Sequence, residues 1–278
     1  MQTETIVITG ASRGIGEETA YRLAGKGRRM LLLARSEDDL VRVRRRARRR
    51  GARVDYLTVD LADRSQVERV LDAIDQEWAP VDTLVLNAGT ANGRPFLESD
   101  SEGTDYEFEV NLFAPAVFLR RLLGPMVERG SGRVAVVGSL TAVLPFPGNA
   151  TYAGSKAALQ ALVRSIRLEL ADSEVHVGLI LPGFTRTMMT SRLSSLLPSK
   201  SPEAVARAIE RSLDERRALV VPGLLNKLAM RAWGFAPDLA DTLLARLPGL
   251  VPRPMPEGVE PIVEPSPGGE ASPWPRAS

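Results

Sequence analysis

Six short runs rich in Val, Ile and Leu, at 5–8, 30–33, 54–59, 81–86, 134–137 and 175–181, punctuate the chain, and each reads as a strand. They carry apolar residues toward both faces, which is the pattern of strands covered by helices on both sides of a parallel sheet. A seventh strand is expected at 218–221. Between the runs the period lengthens, and across 65–78 Val67, Val70, Leu71 and Ile74 fall on one helical face. The segment 36–51 opens on Ser36 as a cap with acids behind it, closes on Gly51 and carries Leu40, Val43 and Ala47 as one stripe. Joined by right-handed crossovers, these elements give an α/β, doubly wound, mostly parallel seven-stranded sheet with helices on both faces, in a single domain.

Composition sharpens this picture at three points. The 278 residues are 44% hydrophobic, enough for one large core, which is assigned to 1–250. Nine prolines fall in the last 31 residues among Gly, Ser and Glu, so 251–278 is expected to be a disordered, proline-rich tail. Cysteine is absent and His176 stands alone inside an apolar run, which removes thiolate nucleophiles, disulfides and multi-histidine metal sites; no metal is expected. His176 itself reads as a buried strand side chain. The net charge is only +2. Seven arginines between Arg42 and Arg50 are therefore read as the solvated face of a helix, not as a nucleic-acid patch, because no aromatic or second basic cluster accompanies them. The N-terminus shows no signal-peptide pattern and no apolar stretch reaches the ~18 residues of a membrane span, so a cytoplasmic location is expected. No internal repeat is visible.

The chemistry begins directly after the first strand, at Thr9-Gly10-Ala11-Ser12-Arg13-Gly14-Ile15-Gly16. Glycines at a strand-to-helix turn let the backbone approach a pyrophosphate, whose charge sits favourably at the helix N-terminus. Further along come Asn87-Ala88-Gly89 after the fourth strand, Asn111 in a helix, Ser139 after the fifth strand, Tyr152-Ala153-Gly154-Ser155-Lys156, and Pro182-Gly183. Tyr152 and Lys156 are four residues apart and project from one helical face. A lysine cation beside a phenol favours the phenolate, so the pair suits proton transfer near neutral pH. Lysine occurs four times against 32 arginines, which makes Lys156 stand out from the usual basic residue of this chain.

This ordered set resembles the classical short-chain dehydrogenase/reductase family, over roughly 4–225. The resemblance implies a Rossmann fold and an oxidoreductase that moves a hydride between a nicotinamide dinucleotide and a carbonyl or alcohol carbon. It implies Tyr152 as general acid or base and Lys156 as its partner, which also binds the nicotinamide ribose. Ser139 would donate to the substrate oxygen, and Asn111 would hold a water linking Lys156 to solvent. Gly10, Ser12, Arg13, Gly14, Ile15 and Gly16 would hold the cofactor phosphates, Asp60 and Leu61 the adenine, and Asn87, Ala88 and Gly89 the loop beneath the cofactor. Pro182, Gly183, Thr185 and Thr187 match the stretch that meets nicotinamide and phosphate. The family's usual Asn-Asn-Ala-Gly is here Leu86-Asn87-Ala88-Gly89.

At the end of the second strand the chain has Ala34-Arg35-Ser36 where NAD-specific relatives place an acid. Arg35, with Ser36 and Arg13, can meet a 2′-phosphate, so NADP(H) is the expected cofactor, with NAD(H) left open. A substrate lid is expected at about 185–203 and an apolar cover at about 224–247, which would close the cleft, form a homodimer or homotetramer interface, or touch a membrane surface. The expected substrate is a small, lipophilic ketone, aldehyde or 3-oxoacyl compound, or the matching alcohol. Two alternatives remain from the residues: a non-catalytic dinucleotide sensor or scaffold on the same fold, and a nucleic-acid binder built on the arginine helix.

Overall fold

A computed structural model describes residues 3–185, 200–238 and 242. Seven parallel strands form one sheet: β1 (Glu4–Thr9), β2 (Arg28–Ala34), β3 (Arg53–Thr58), β4 (Thr83–Leu86), β5 (Gly132–Val137), β6 (Val175–Ile180) and β7 (Leu219–Val220). Their order is β3-β2-β1-β4-β5-β6-β7, so the chain builds outward from β1 in one direction and then restarts beside it. That reversal opens a crevice at the carboxyl ends of β1 and β4, where doubly wound sheets bind ligands.

Side chains alternate across each strand, and the two faces feed two cores. Ile6 and Ile8 of β1 pack with α1 (Gly14–Leu23), α2 (Glu37–Arg48) and α7 (Pro202–Asp214), whereas Val7 packs with α3 (Arg64–Ala73), α5 (Ala114–Glu128) and α6 (Ala150–Glu169). Leu40, Val43 and Ala47 of α2 are buried, as their spacing predicts. So are Val67, Val70, Leu71 and Ile74, although the α-helix there ends at Ala73 and continues as a π-helical turn, Ile74–Trp78. Ser36 occupies the capping position of α2 without a side-chain capping bond. Glu37, Asp38 and Asp39 in the first turn answer the helix dipole there instead. The run 81–86 enters the ladder at Thr83, and Asp82 just before it is tied to β1, its carboxylate accepting the Thr5 amide at 2.8 Å and its own N–H donating to the Thr5 carbonyl at 2.9 Å.

The arginine face of α2 is more engaged than a purely solvated surface. Arg42 pairs with Glu17, Arg44 lies over Tyr56 and pairs with Asp55, and Arg46 and Arg50 lie over Tyr21. These side chains seal α2 against α1 and β3 by cation–π contact and ion pairing while their stems cover apolar surface. α4 (Ser101–Phe108), a π-helical turn (Glu109–Phe113) and α5 form one continuous helical run. Its length and hydropathy would suffice to cross a membrane, yet Phe118, Leu119, Leu122 and Met126 are buried against the sheet.

α8 (Leu224–Phe235) buries no residue, and Leu224 and Phe235 are 72% and 90% exposed. Among the described residues of the expected apolar cover, Met230 packs against the core. The rest of that segment, Thr242 apart, lies from 239 onward outside the described residues, as do most of the lid (186–199) and the tail 251–278. The lid's expected end overlaps α7, which starts at Pro202 with Ser201 as its cap.

Candidate functional site

The glycine loop is built by close approach. Gly10 and Gly14 take φ of +64° and +58°, a left-handed backbone that glycine adopts without strain. A Cβ on Gly16 would stand 2.0 Å from the Gly10 carbonyl oxygen, and one on Gly10 would stand 2.7 Å from the Ala88 Cα. The turn is thus folded onto the start of the Asn87-Ala88-Gly89 loop. Asn87 fastens the two, its amide donating to the carbonyls of Thr9 and Gly10 at 3.2 and 3.1 Å while its backbone N–H donates to the Thr9 hydroxyl. Ser12 is buried and its carbonyl accepts from Arg42; the carbonyl of Ile15, second in α1, accepts from the Thr19 hydroxyl at 2.7 Å. Arg13 is ion-paired with Asp39.

The second group converges on Gly89. A Cβ there would lie 3.2 Å from both the Asn111 Oδ1 and the Lys156 Nζ, so the bare backbone makes the room in which these side chains meet. Asn111 sits in the π-helical turn, fully buried, and its amide is committed: it donates to the Thr90 carbonyl and to Ser155 Oγ, and accepts the Thr90 N–H. Lys156, one turn after Tyr152 on α6, is 3% exposed; its Nζ donates to the Val137 carbonyl at 3.2 Å and stands 5.9 Å from the Tyr152 ring centre. Burial brings its pKa down to about 8. Ser139 caps the short turn Leu140–Ala142 and its hydroxyl also bonds the Tyr152 phenol.

The phenol is governed by its surroundings more than by the lysine. Burial pushes the Tyr152 pKa up, the Ser139 bond pulls it down, and the charge of Glu107 pushes it up again. The expectation that Lys156 lowers this pKa directly is not met in the chain itself, since the ammonium faces the Val137 carbonyl and the ring. Glu107, on α4, was not singled out from sequence. It is fully buried, its carboxyl accepts the Asn92 N–H, and burial raises its pKa. A polar position in a short, weakly amphipathic helix gives no sequence signal for this.

At the far end of the crevice, Asp60 and Leu61 are buried after β3, and Asp60 accepts the Ala62 N–H at 3.0 Å. Arg35 follows β2, with the half-buried Ser36 beside it, and donates to the Tyr106 phenol at 2.6 Å. Tyr106, a second residue missed from sequence, also lies 3.3 and 3.4 Å from the two Asp60 oxygens. Near the opposite end, the Pro182 carbonyl accepts the Leu140 N–H, Gly183 packs against the Asn226 amide of α8, and the buried Thr185 donates to the Gly183 carbonyl. Phe146 and Phe184 pack with ring centres 5.4 Å apart and planes tilted by 46°. Thr187 lies outside the described residues. His176 is buried on β6 with its Nε2 unbonded and its pKa down at about 4, so it holds no catalytic partner. Among the described residues, no group of three or more acidic or histidine side chains is placed to hold a metal ion.

The crevice fits a dinucleotide on its own geometry. The glycine turn exposes backbone N–H groups at the α1 N-terminus for a pyrophosphate, and the bare Gly89 leaves space beside Lys156 that a side chain would fill. The comparisons agree. A family model described as short chain dehydrogenase matches residues 4–196. The oxidoreductase UcpA of Salmonella typhimurium is 31% identical over 215 residues, 77% of this chain and 81% of its own. The ketoacyl reductase HetN of a Nostoc species is 29% identical over 251 residues, covering 86% and 88% of the two chains. A short-chain dehydrogenase from Sphingobium yanoikuyae, solved in complex with NADPH, matches with a TM-score of 0.76 at 28% identity over 88% of this chain and 96% of that one.

Proposed function

Since this chain belongs to the short-chain dehydrogenase family, we propose that it is an NADPH-dependent reductase of a lipophilic ketone, aldehyde or 3-oxoacyl compound, also able to run the reverse alcohol oxidation. The observation that carries the reading is the meeting of Asn111 and Lys156 at Gly89, with Tyr152 and Ser139 beside them. The name of the HetN relative, a ketoacyl reductase, supports the 3-oxoacyl class. The packed rings of Phe146 and Phe184 support an apolar substrate.

The nicotinamide, when bound, supplies or accepts the hydride. Tyr152 gives its phenolic proton to the carbonyl oxygen during reduction and takes the alcohol proton during oxidation. Ser139 donates to the same oxygen, which stabilises the charge that develops on it. Lys156 holds the ribose through the gap at Gly89 and, titrating near 8, passes a proton toward the phenol under ordinary conditions. The Asn111 amide is committed to Thr90 and Ser155, and the residue, in a widened turn of the kind that recurs at functional sites, would hold a water linking Lys156 to solvent. Gly10 to Gly16 cradle the phosphates, with Asn87 and Ala88 behind them. Pro182, Gly183 and Thr185 lie on the nicotinamide side.

NADPH is preferred because Arg35 and Ser36 stand where an acid would otherwise select NADH. Charge-assisted hydrogen bonds contribute ~1.5–3 kcal/mol each, so one or two give a preference on the order of tenfold to several hundredfold. The test is kcat/KM for NADPH and NADH with one shared carbonyl substrate. NADPH is expected to lead and Arg35→Asp to reverse the order; a wild-type enzyme that prefers NADH overturns the assignment.

A further inference from the structure

We propose that Tyr106 is a specificity-determining residue, whose phenol separates Arg35 from Asp60 and holds the guanidinium open for the 2′-phosphate of the cofactor. This inference rests on the proposed role of Arg35. Three elements meet here: Arg35 after β2, Asp60 after β3 and Tyr106 on α4. The Arg35 Nη1 donates to the phenol oxygen at 2.6 Å, and its guanidinium lies 6.0 Å from the centre of the Tyr106 ring. The phenol has one hydrogen of its own. With its oxygen accepting from Arg35, that hydrogen is directed to the Asp60 carboxylate, whose two oxygens lie at 3.3 and 3.4 Å.

The consequence is electrostatic as well as steric. Without the phenol, an arginine and a carboxylate at adjacent strand ends could pair directly, and a paired guanidinium offers a phosphate less charge and fewer N–H groups. With it, the carboxylate is answered by a neutral donor and the Arg35 fork is turned to the phenol. Burial and the Asp60 charge push the Tyr106 pKa up to about 12, so the phenol stays a neutral donor throughout the working range. One Arg35 donor meets Tyr106, and a guanidinium has five in a planar fork, which leaves enough for two-point contact with a phosphate. Tyr106 is also partly packed against the core. A purely structural tyrosine would need only its ring; the two polar bonds of the hydroxyl are what the inference assigns to recognition.

Tyr106→Phe keeps the ring and removes the hydroxyl, so it separates the two roles. Dissociation constants are measured calorimetrically for NADPH, NADH, adenosine 2′,5′-bisphosphate and adenosine 5′-monophosphate, in wild type, Tyr106→Phe, Arg35→Ala and the double variant. The expected result is about three- to tenfold weaker binding of the two 2′-phosphorylated ligands by Tyr106→Phe, the size of one hydrogen bond, with less than twofold change for the other two. In the Arg35→Ala background the second substitution should add less than twofold, because the group it positions is gone. The ratio of two affinities taken from one preparation does not depend on its folded fraction, so it reads the effect even if Tyr106→Phe lowers Tm. Equal weakening of all four ligands, no change, or additive losses in the double variant overturn the inference while leaving the role of Arg35 intact. If Arg35→Ala leaves the NADPH-to-NADH ratio unchanged, the cofactor reading falls and takes this inference with it.

Discussion

At Tyr152, burial and the Glu107 charge favour the neutral phenol, while the Ser139 bond favours the phenolate. A proton donor held in its protonated form suits carbonyl reduction, and the oxidative direction, which needs the base, should gain with rising pH. Tyr152→Phe deletes the proton and keeps the ring. Turnover is expected to fall by at least ~10²–10⁴-fold, the usual worth of a general acid or base, with NADPH affinity changed little. A variant that retains a tenth of wild-type kcat would remove Tyr152 from the chemistry. His176 carries a different prediction, about stability. Its folded pKa of about 4 lies below the ordinary 6.5, because burial and the nearby Arg216, Arg167 and Arg133 disfavour the charged ring. The neutral ring's contribution is therefore complete above pH 6.5 and is lost as the pH falls toward 4. Between pH 7 and pH 5 the wild type should lose about 2 kcal/mol more than His176→Leu, as read by urea melts at the two pH values. Identical losses would mean that the ring is already charged, or solvated, in the fold.

At the scale of elements, the glycine turn is the joint between β1 and α1, and its tightness follows from three backbones brought together. Gly16→Ala places a methyl 2.0 Å from the Gly10 carbonyl and 2.6 Å from the Asn87 amide. Backbone cannot yield as a side-chain tip does, so the strain should cost ~1–3 kcal/mol or more and move the N–H groups that face the phosphates. A lowered Tm together with weakened NADPH binding is expected in calorimetry; unchanged binding would show that the turn is scaffold only. By contrast, α2 tolerates its arginines because each finds a ring, an acid or water, and α8 leaves its leucines exposed along one chain.

For the whole molecule, the question is how much of the chain the enzyme needs. By composition, 253–278 is expected to add nothing to the apolar core, so ending the chain after Pro252 should leave Tm and kcat/KM unchanged. Ending it before Leu224 removes Asn226 from Gly183 and Met230 from the core, and should raise KM or lower solubility. Measuring both truncations side by side checks the contrast; equal tolerance would show that α8 has no part in the site.

Periodicity and residue type by themselves determined the strands, the two-sided burial of the sheet, the buried stripes of α2 and α3, the glycine turn, and the pairing of Tyr152 with Lys156 one helical turn apart. These are local properties, written within a few residues of chain. Local reading was weakest where a helix changes its pitch, as at Ile74–Trp78 and Glu109–Phe113, since apolar spacing hardly differs between the two kinds of turn. The tertiary structure alone decided that Lys156 faces the Val137 carbonyl, that Glu107 is buried beside the phenol, and that Arg35, Asp60 and Tyr106 form one cluster. Residues 35, 60 and 106 come from three separate elements, and nothing in the spacing of their neighbours encodes the meeting. They are brought together by the order of strands in the sheet and by the angle at which α4 packs, and both of these follow from how the two cores close around the whole chain.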